Sequence, residues 1–173
     1  RVDEAAIKAA GRRTGATAED VAMTLAEAKA TADDHGTALV IGADQLLDCD
    51  GRWFDKPASM NQAADHLRAL SGRTHRLVSA VCVASGGSVA WRHVEVPLMT
   101  VRRLDDDFIA AYLDRAGPSV LESVGAYRLE GIGARLFDQI DGDYFTILGL
   151  PLLPLLSYLR QAGAVDGSAP GRL

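Results

Sequence analysis

Apolar residues fall at helical spacing behind Thr17, which has Asp20 three residues on, as in a capping box, and Val21, Leu25 and Ala28 on one face. The run Ala38-Leu39-Val40-Ile41 then predicts a short buried strand, ended by Gly42-Ala43-Asp44. Residues 45–49 alternate loosely, and Asp50-Gly51 marks a hairpin leading into Arg52-Trp53-Phe54. Ser59 and Gln62 predict a second capping box, with Leu67 and Leu70 on the helix and Gly72 at its stop. Two long β-like runs, 74–84 and 89–101, join at Ser85-Gly86-Gly87-Ser88. Asp105 caps a further helix carrying Phe108, Ile109 and Tyr112, closed by Gly117-Pro118. After a glycine-punctuated loop, residues 135–140 and 144–148 are predicted to pair as a hairpin about Asp141-Gly142, and a last helix follows Pro151. Phe108, Tyr112 and the cluster Leu152, Leu153, Leu155 and Leu156 are expected in the core. Strands interleaved with helices predict a single α/β domain over residues 1–162, and small polar residues predict a flexible tail over 163–173.

Composition sharpens this. Of 173 residues, 48% are hydrophobic and 24% charged, which suits a globular domain and excludes a disordered or fibrous chain. A net charge of −5 supplies no global field for nucleic acid or acidic lipid, so neither is expected as a partner and an anionic ligand needs a local cluster of cations. Cys49 and Cys82 have no metal-binding spacing and make no disulfide framework; they are expected as reduced, buried thiols of a cytoplasmic protein. The opening Arg1-Val2-Asp3-Glu4 is charged, without the apolar core of a signal peptide. The uncharged stretch 144–159 contains Pro151 and Pro154 and falls short of the roughly 20 residues of a spanning helix, so no membrane association is expected.

The chain contains no GxxxxGK[ST] loop, no GxSxG elbow and no HExxH helix, and Gly131-Ile132-Gly133 lacks the third glycine of a dinucleotide loop. The four histidines, His35, His66, His75 and His93, fall in four different predicted elements and read as surface or structural groups. Asp44 is the most informative residue. It is predicted at the carboxyl edge of a sheet, where open α/β folds place ligands, although a turn-capping aspartate would be spelled the same way. Arginine is this chain's default cation, and its three lysines are Lys8, Lys29 and Lys56. A lysine offers a compact charge that reaches a phosphate where a planar guanidinium does not fit, yet three solvated lysines would leave the same spelling. With Glu4 as a second carboxylate, Asp44, Lys29 and Lys56 form the set that metal-assisted hydrolysis of a polyphosphate asks for.

These residues sit in segments that together resemble the Maf nucleoside triphosphate pyrophosphatases. The segments are Leu25-Ala26-Glu27-Ala28-Lys29-Ala30, Val40-Ile41-Gly42-Ala43-Asp44-Gln45, Asp55-Lys56-Pro57 and Leu70-Ser71-Gly72-Arg73-Thr74-His75. They continue through Gly125-Ala126-Tyr127-Arg128-Leu129-Glu130-Gly131, Ile140-Asp141-Gly142-Asp143-Tyr144 and Leu148-Gly149-Leu150-Pro151. Each is weak alone; their order and spacing over residues 2–162 make the resemblance. It implies a mixed central β-sheet flanked by helices, as in inosine triphosphatase-like folds. It also implies hydrolysis between the α and β phosphates, a divalent cation (Mg2+ or Mn2+) and a homodimer. Asp44 would be the proton acceptor and a metal ligand, Glu4 a second ligand, and Glu4, Lys29 and Lys56 would line the polyphosphate site. Family members begin with a strand and a Ser-x-Ser-Pro-Arg-Arg loop, which this sequence does not contain, so the chain is expected to start just after that segment.

The resemblance also speaks to the base. The family branch acting on dTTP and UTP tends to carry threonine and glutamine where the branch acting on 7-methyl-GTP carries glutamine and glutamate. Here the residues are Gln45 and Glu130, which implies 7-methyl-GTP. Methylation at N7 makes guanine cationic, so a carboxylate suits it, though Glu130 also reads as a solvated loop residue. Arg73 and His75 either touch phosphate or brace their loop. Asp141 and Asp143 read as turn residues before metal ligands, and Trp53 and Tyr127 as core before base-stacking groups. The competing functions are a dTTP/UTP pyrophosphatase, a nucleotide-binding regulatory module with little turnover, and a structural oligomerisation domain.

Overall fold

Helix formers around two alanine pairs open the chain as α1 (Glu4–Thr14), an element the sequence reading does not contain. Asp3 starts it by accepting a hydrogen bond from the Ala6 N–H, and Gly15, at φ 70°, ends it in the left-handed conformation that glycine adopts without strain. The computed structural model describes residues 2–33 and 35–165. α2 (Ala18–Ala30) begins on the expected capping box, the Thr17 hydroxyl accepting from the Asp20 N–H while the Asp20 carboxylate accepts from the Thr17 N–H. Its buried face is Val21, Ala22, Leu25, Ala26 and Ala30.

The first strand differs from its expectation. β1 (Val40–Cys49) starts later than Ala38 and does not stop at Gly42-Ala43-Asp44; it runs on through them to the hairpin. Leu39 and Ile41 are exposed, so the buried half of the strand is its second half, Leu46 to Cys49. Gly42 does not break the strand; it permits a close approach. A Cβ there would meet the Ala26 carbonyl oxygen at 2.1 Å and the Ala30 nitrogen at 2.5 Å, so the strand lies flush against α2 only because the side chain is missing. Asp50 and Gly51, both at positive φ, turn the chain into β2 (Arg52–Phe54), with Leu47 opposite Phe54 and Cys49 opposite Arg52.

α3 (Met60–Leu70) is capped by Ser59, whose hydroxyl accepts from the Gln62 N–H; the Gln62 side chain accepts from Ala58 and not from the cap residue. β3 (Thr74–Ser85) is followed by β4 (Ser88–Glu95) and β5 (Leu98–Val101), so the second long run predicted as one strand is two, broken at Val96-Pro97. α4 (Asp106–Ala116) is capped by Asp105, and 3-10 turns follow over 117–126 and 132–136. β6 (Phe137–Asp141) pairs with β5, not with residues 144–148. Those residues form a single helical turn, α5 (Tyr144–Ile147), because the Asp143 carboxylate accepts from the Thr146 N–H and hydroxyl and winds the chain at once. α6 (Leu152–Gln161) follows Pro151 as expected and buries Leu155 and Leu159, while Leu153 is 55% exposed and so is not a core residue.

The strand order is β2-β1-β3-β5-β6, with β4 pairing β3, and the registers along β1–β2, β3–β4, β3–β5 and β5–β6 are antiparallel. With helices between its strands the chain is α/β, the class expected. Its residues gather into two compact units. Among the described residues, one draws on 2–33, 35–44, 79–95 and 149–165, the other on 45–78 and 96–148. In the first, Val81 and Val83 pack with Leu155 and Leu159, and Trp91 stacks on Tyr158. In the second, Leu47, Phe54, Leu67, Leu77, Met99 and Tyr127 belong to the larger core. Of the predicted tail, Gly163 and Ala164 still donate to the Arg160 and Leu159 carbonyls, and residues 166–173 lie outside the described residues.

Candidate active site

Asp44 stands two residues beyond Gly42 on β1, and residues i and i+2 of a strand share a face. The contact of Gly42 with Ala26 and Ala30 therefore sets Asp44 against the last turn of α2, where Lys29 lies. Lys29 Nζ donates to Asp44 Oδ1 at 2.5 Å and lies 2.9 Å from Glu4 Oε1 in the first turn of α1. One ammonium thus joins two carboxylates that are forty positions apart in sequence. Both helix ends suit their charges, an acid at the start of α1 and a lysine at the end of α2.

Burial divides the three unequally. The Asp44 side chain is only 8% exposed, Lys29 31% and Glu4 47%. Burial holds the Asp44 carboxyl above the ordinary aspartate range, against the opposing hydrogen bond and charge of Lys29; Glu4 adds to the rise and Lys8 opposes it. Burial also works against the Lys29 charge, but the hydrogen bonds and charges of Asp44 and Glu4 outweigh it, and the ammonium is held above its usual range. Asp44 Oδ2 is buried without a hydrogen-bond partner. Among the described residues no group of three or more His, Cys, Asp or Glu gathers to cage an ion. The donor with spare capacity for a cation is the unpartnered Asp44 Oδ2, a hard carboxylate oxygen of the kind that magnesium and manganese accept.

Asp44 is accordingly neither at a strand's end nor a turn cap, as its position in the sequence suggested; it is an interior strand residue turned toward a helix. The remaining candidates belong to the second unit. Lys56 stands exposed on the connection from β2 to α3. Arg73 is exposed and pairs with Asp50 at 3.0 Å. His75 is fully buried, its Nε2 sharing a 2.7 Å hydrogen bond with the Tyr127 hydroxyl, and burial lowers its pKa to about 4. That places His75 and Tyr127 in the core as a brace. Asp143 caps α5, the turn role read for it, and Asp141 ends β6, exposed.

The two residues read as base-selecting are both engaged. Gln45 Nε2 donates to the carbonyls of Thr146 and Ile147, at 3.1 and 3.2 Å, which fastens α5 to β1. Glu130 accepts from Arg128 Nε at 2.8 Å, and its own backbone N–H together with that guanidinium holds its carboxyl below the ordinary range. It borders a cleft of about 300 Å³ lined by Tyr112, Arg115, Ser119 and Arg128. The guanidiniums beside Glu130 escape a reading that stops at the carboxylate. The spacing Arg128-x-Glu130 in an irregular loop was the available signal.

Residues 1–162 match the family described as Maf-like protein. The chain is similar to a 7-methyl-GTP pyrophosphatase of Mesorhizobium japonicum, with 53% identity over 168 residues, 96% of this chain and 84% of that relative. A 7-methyl-GTP pyrophosphatase of Rhizobium meliloti is 52% identical over 95% of this chain and 84% of its own length. A nucleoside triphosphate pyrophosphatase of Granulibacter bethesdensis is 49% identical, again over 95% and 84%.

Proposed function

This chain belongs to the Maf family, and from that premise we propose that it hydrolyses a nucleoside triphosphate between the α and β phosphates, giving a nucleoside monophosphate and pyrophosphate. Its substrate is 7-methyl-GTP, the compound in the names of the Mesorhizobium and Rhizobium relatives. The broader name of the Granulibacter relative fits the same reaction without fixing the base. One observation carries the chemistry: a nearly buried carboxylate with an unfilled oxygen, tied through a lysine to a second carboxylate.

Asp44 accepts a proton from the attacking water. An aspartate of unperturbed pKa near 4 is a feeble base at pH 7, and burial makes this one stronger. Water oxygen bonds to the α-phosphorus, the bond from that phosphorus to the bridging oxygen breaks, and the electron pair leaves with pyrophosphate. Lys29 holds the aspartate in place before substrate arrives and then meets phosphoryl oxygens, which compete with the two carboxylates for its three N–H groups. The family resemblance assigns Lys56 to the polyphosphate as a second cation. A divalent cation, magnesium or manganese, would be held by Asp44 and Glu4 and would supply charge neutralisation along the tail. The cytoplasm, where nucleotides and reduced thiols both persist, is the compartment that goes with this chemistry, and a homodimer is the assembly the resemblance implies.

The resemblance assigns the choice of base to Glu130, with Gln45. The Glu130 carboxylate is already paired with Arg128, so a cationic methylguanine gains from it only by drawing it away from the guanidinium. The test is a panel of nucleoside triphosphates assayed for pyrophosphate release. Turnover highest on 7-methyl-GTP, shifted toward unmethylated nucleotides by Glu130→Gln, supports the assignment. UTP or dTTP hydrolysed as fast defeats the base choice, and nucleotide binding without pyrophosphate release points to a regulatory module instead.

A further inference from the structure

Of the three lysines in this chain, Lys8 has no task in the reaction described above. It lies on α1 four residues after Glu4, and side chains at i and i+4 of a helix share a face. The carboxylate of Glu4 on that face is the one bound to Lys29. Lys8 is half-buried, whereas the smaller Ala5, Ala6 and Ala9 around it are exposed. A long cationic side chain screened where alanines are not has its stem laid along the protein. The Asp44 carboxylate feels its charge.

We propose that Lys8 binds the β and γ phosphates of the substrate and so holds the departing pyrophosphate. This rests on the pyrophosphatase reading. Lys29, bonded to the proton acceptor itself, meets the phosphate nearest the attacking water. Lys8, on the α1 face that carries Glu4, meets the groups beyond it.

Lys8→Met, Lys8→Arg and Arg13→Gln are to be compared with the wild type; Arg13 is exposed in the last turn of α1 and controls for loss of a positive charge in general. Lys8→Met is expected to raise the KM for the triphosphate and the Ki for inorganic pyrophosphate with magnesium about tenfold each, the scale of one charge-assisted contact. Affinity for the nucleoside monophosphate should stay within about twofold and the melting temperature within about 2 °C, as for a surface substitution. Lys8→Arg should restore most of the loss and Arg13→Gln should cause none. The proposal is overturned if Lys8→Met binds pyrophosphate as the wild type does, if it weakens the monophosphate equally, or if Arg13→Gln has the same effect. Should the wild type release no pyrophosphate from any nucleotide, the pyrophosphatase reading fails. Calorimetry with inorganic pyrophosphate on the same proteins still decides the role of Lys8, since unchanged binding refutes it and weakened binding upholds it.

Discussion

Asp44 combines two properties that pull against each other. Its burial raises its affinity for a proton, which a base needs, and its bond to Lys29 keeps it ionised, which a base also needs. Asp44→Asn keeps the side chain's shape and removes the proton acceptor. Turnover should fall by at least about a hundredfold, the usual scale for a lost general base, while thermal unfolding shows the fold retained. Near-normal turnover in this variant would remove the residue from the mechanism. The sign of the pH dependence follows from the raised pKa: the acceptor is lost as pH falls through a value above the ordinary aspartate range. The acid limb of kcat/KM should therefore lie higher than about 4 and vanish with the residual activity of Asp44→Asn.

At the level of elements, the pairing of Asp44 with Lys29 depends on how closely β1 approaches α2, and that approach depends on Gly42. Gly42→Ala puts a methyl group onto the Ala26 carbonyl, so strand and helix must separate. We expect a loss of about 2–3 kcal/mol in denaturant unfolding, the scale of an overpacked contact, together with reduced turnover from the displaced aspartate. An alanine variant as stable and as active as the wild type would show that the contact does not set the site. This is also where the sequence misled. A glycine that ends a strand and a glycine that lets a helix touch it are spelled alike, and the difference lies in residues 26 and 30, far along the chain. The caps Thr17, Ser59 and Asp105 were legible because a hydrogen bond three residues away suffices to make them. The turn at 144–147 looks like a strand in sequence because Tyr144, Phe145 and Ile147 favour strands and only Asp143 argues otherwise. α1 passed unseen because its exposed alanines leave almost no apolar face to detect. Lys29 and Asp44 could be picked out as chemistry, but their bond could not, since nothing local encodes contact across fifteen residues.

On the scale of the whole molecule, stability should carry the mark of His75. Folding holds this ring neutral, with a pKa of about 4 against about 6.5 in the unfolded chain. Below pH 6.5 the unfolded state takes up a proton that the folded state refuses. Stability is thus full above that pH and declines as pH falls toward 4, by roughly 3 kcal/mol over the window. Urea unfolding at pH 7 and pH 4.5 measures the decline, and His75→Gln should flatten it; an equal slope in the variant would assign the acid sensitivity elsewhere. The three-way link at Lys29 has a further consequence, for reagents and not for substrate. Acylating agents attack only the unprotonated amine, and two carboxylates keep this one protonated. Under limiting cyanate or anhydride, Lys29 should be carbamylated or acetylated well after the exposed Lys56, and peptide mapping would show the order. A nucleophile so muted is shielded from accidental chemistry by the same bonds that fix it between two acids.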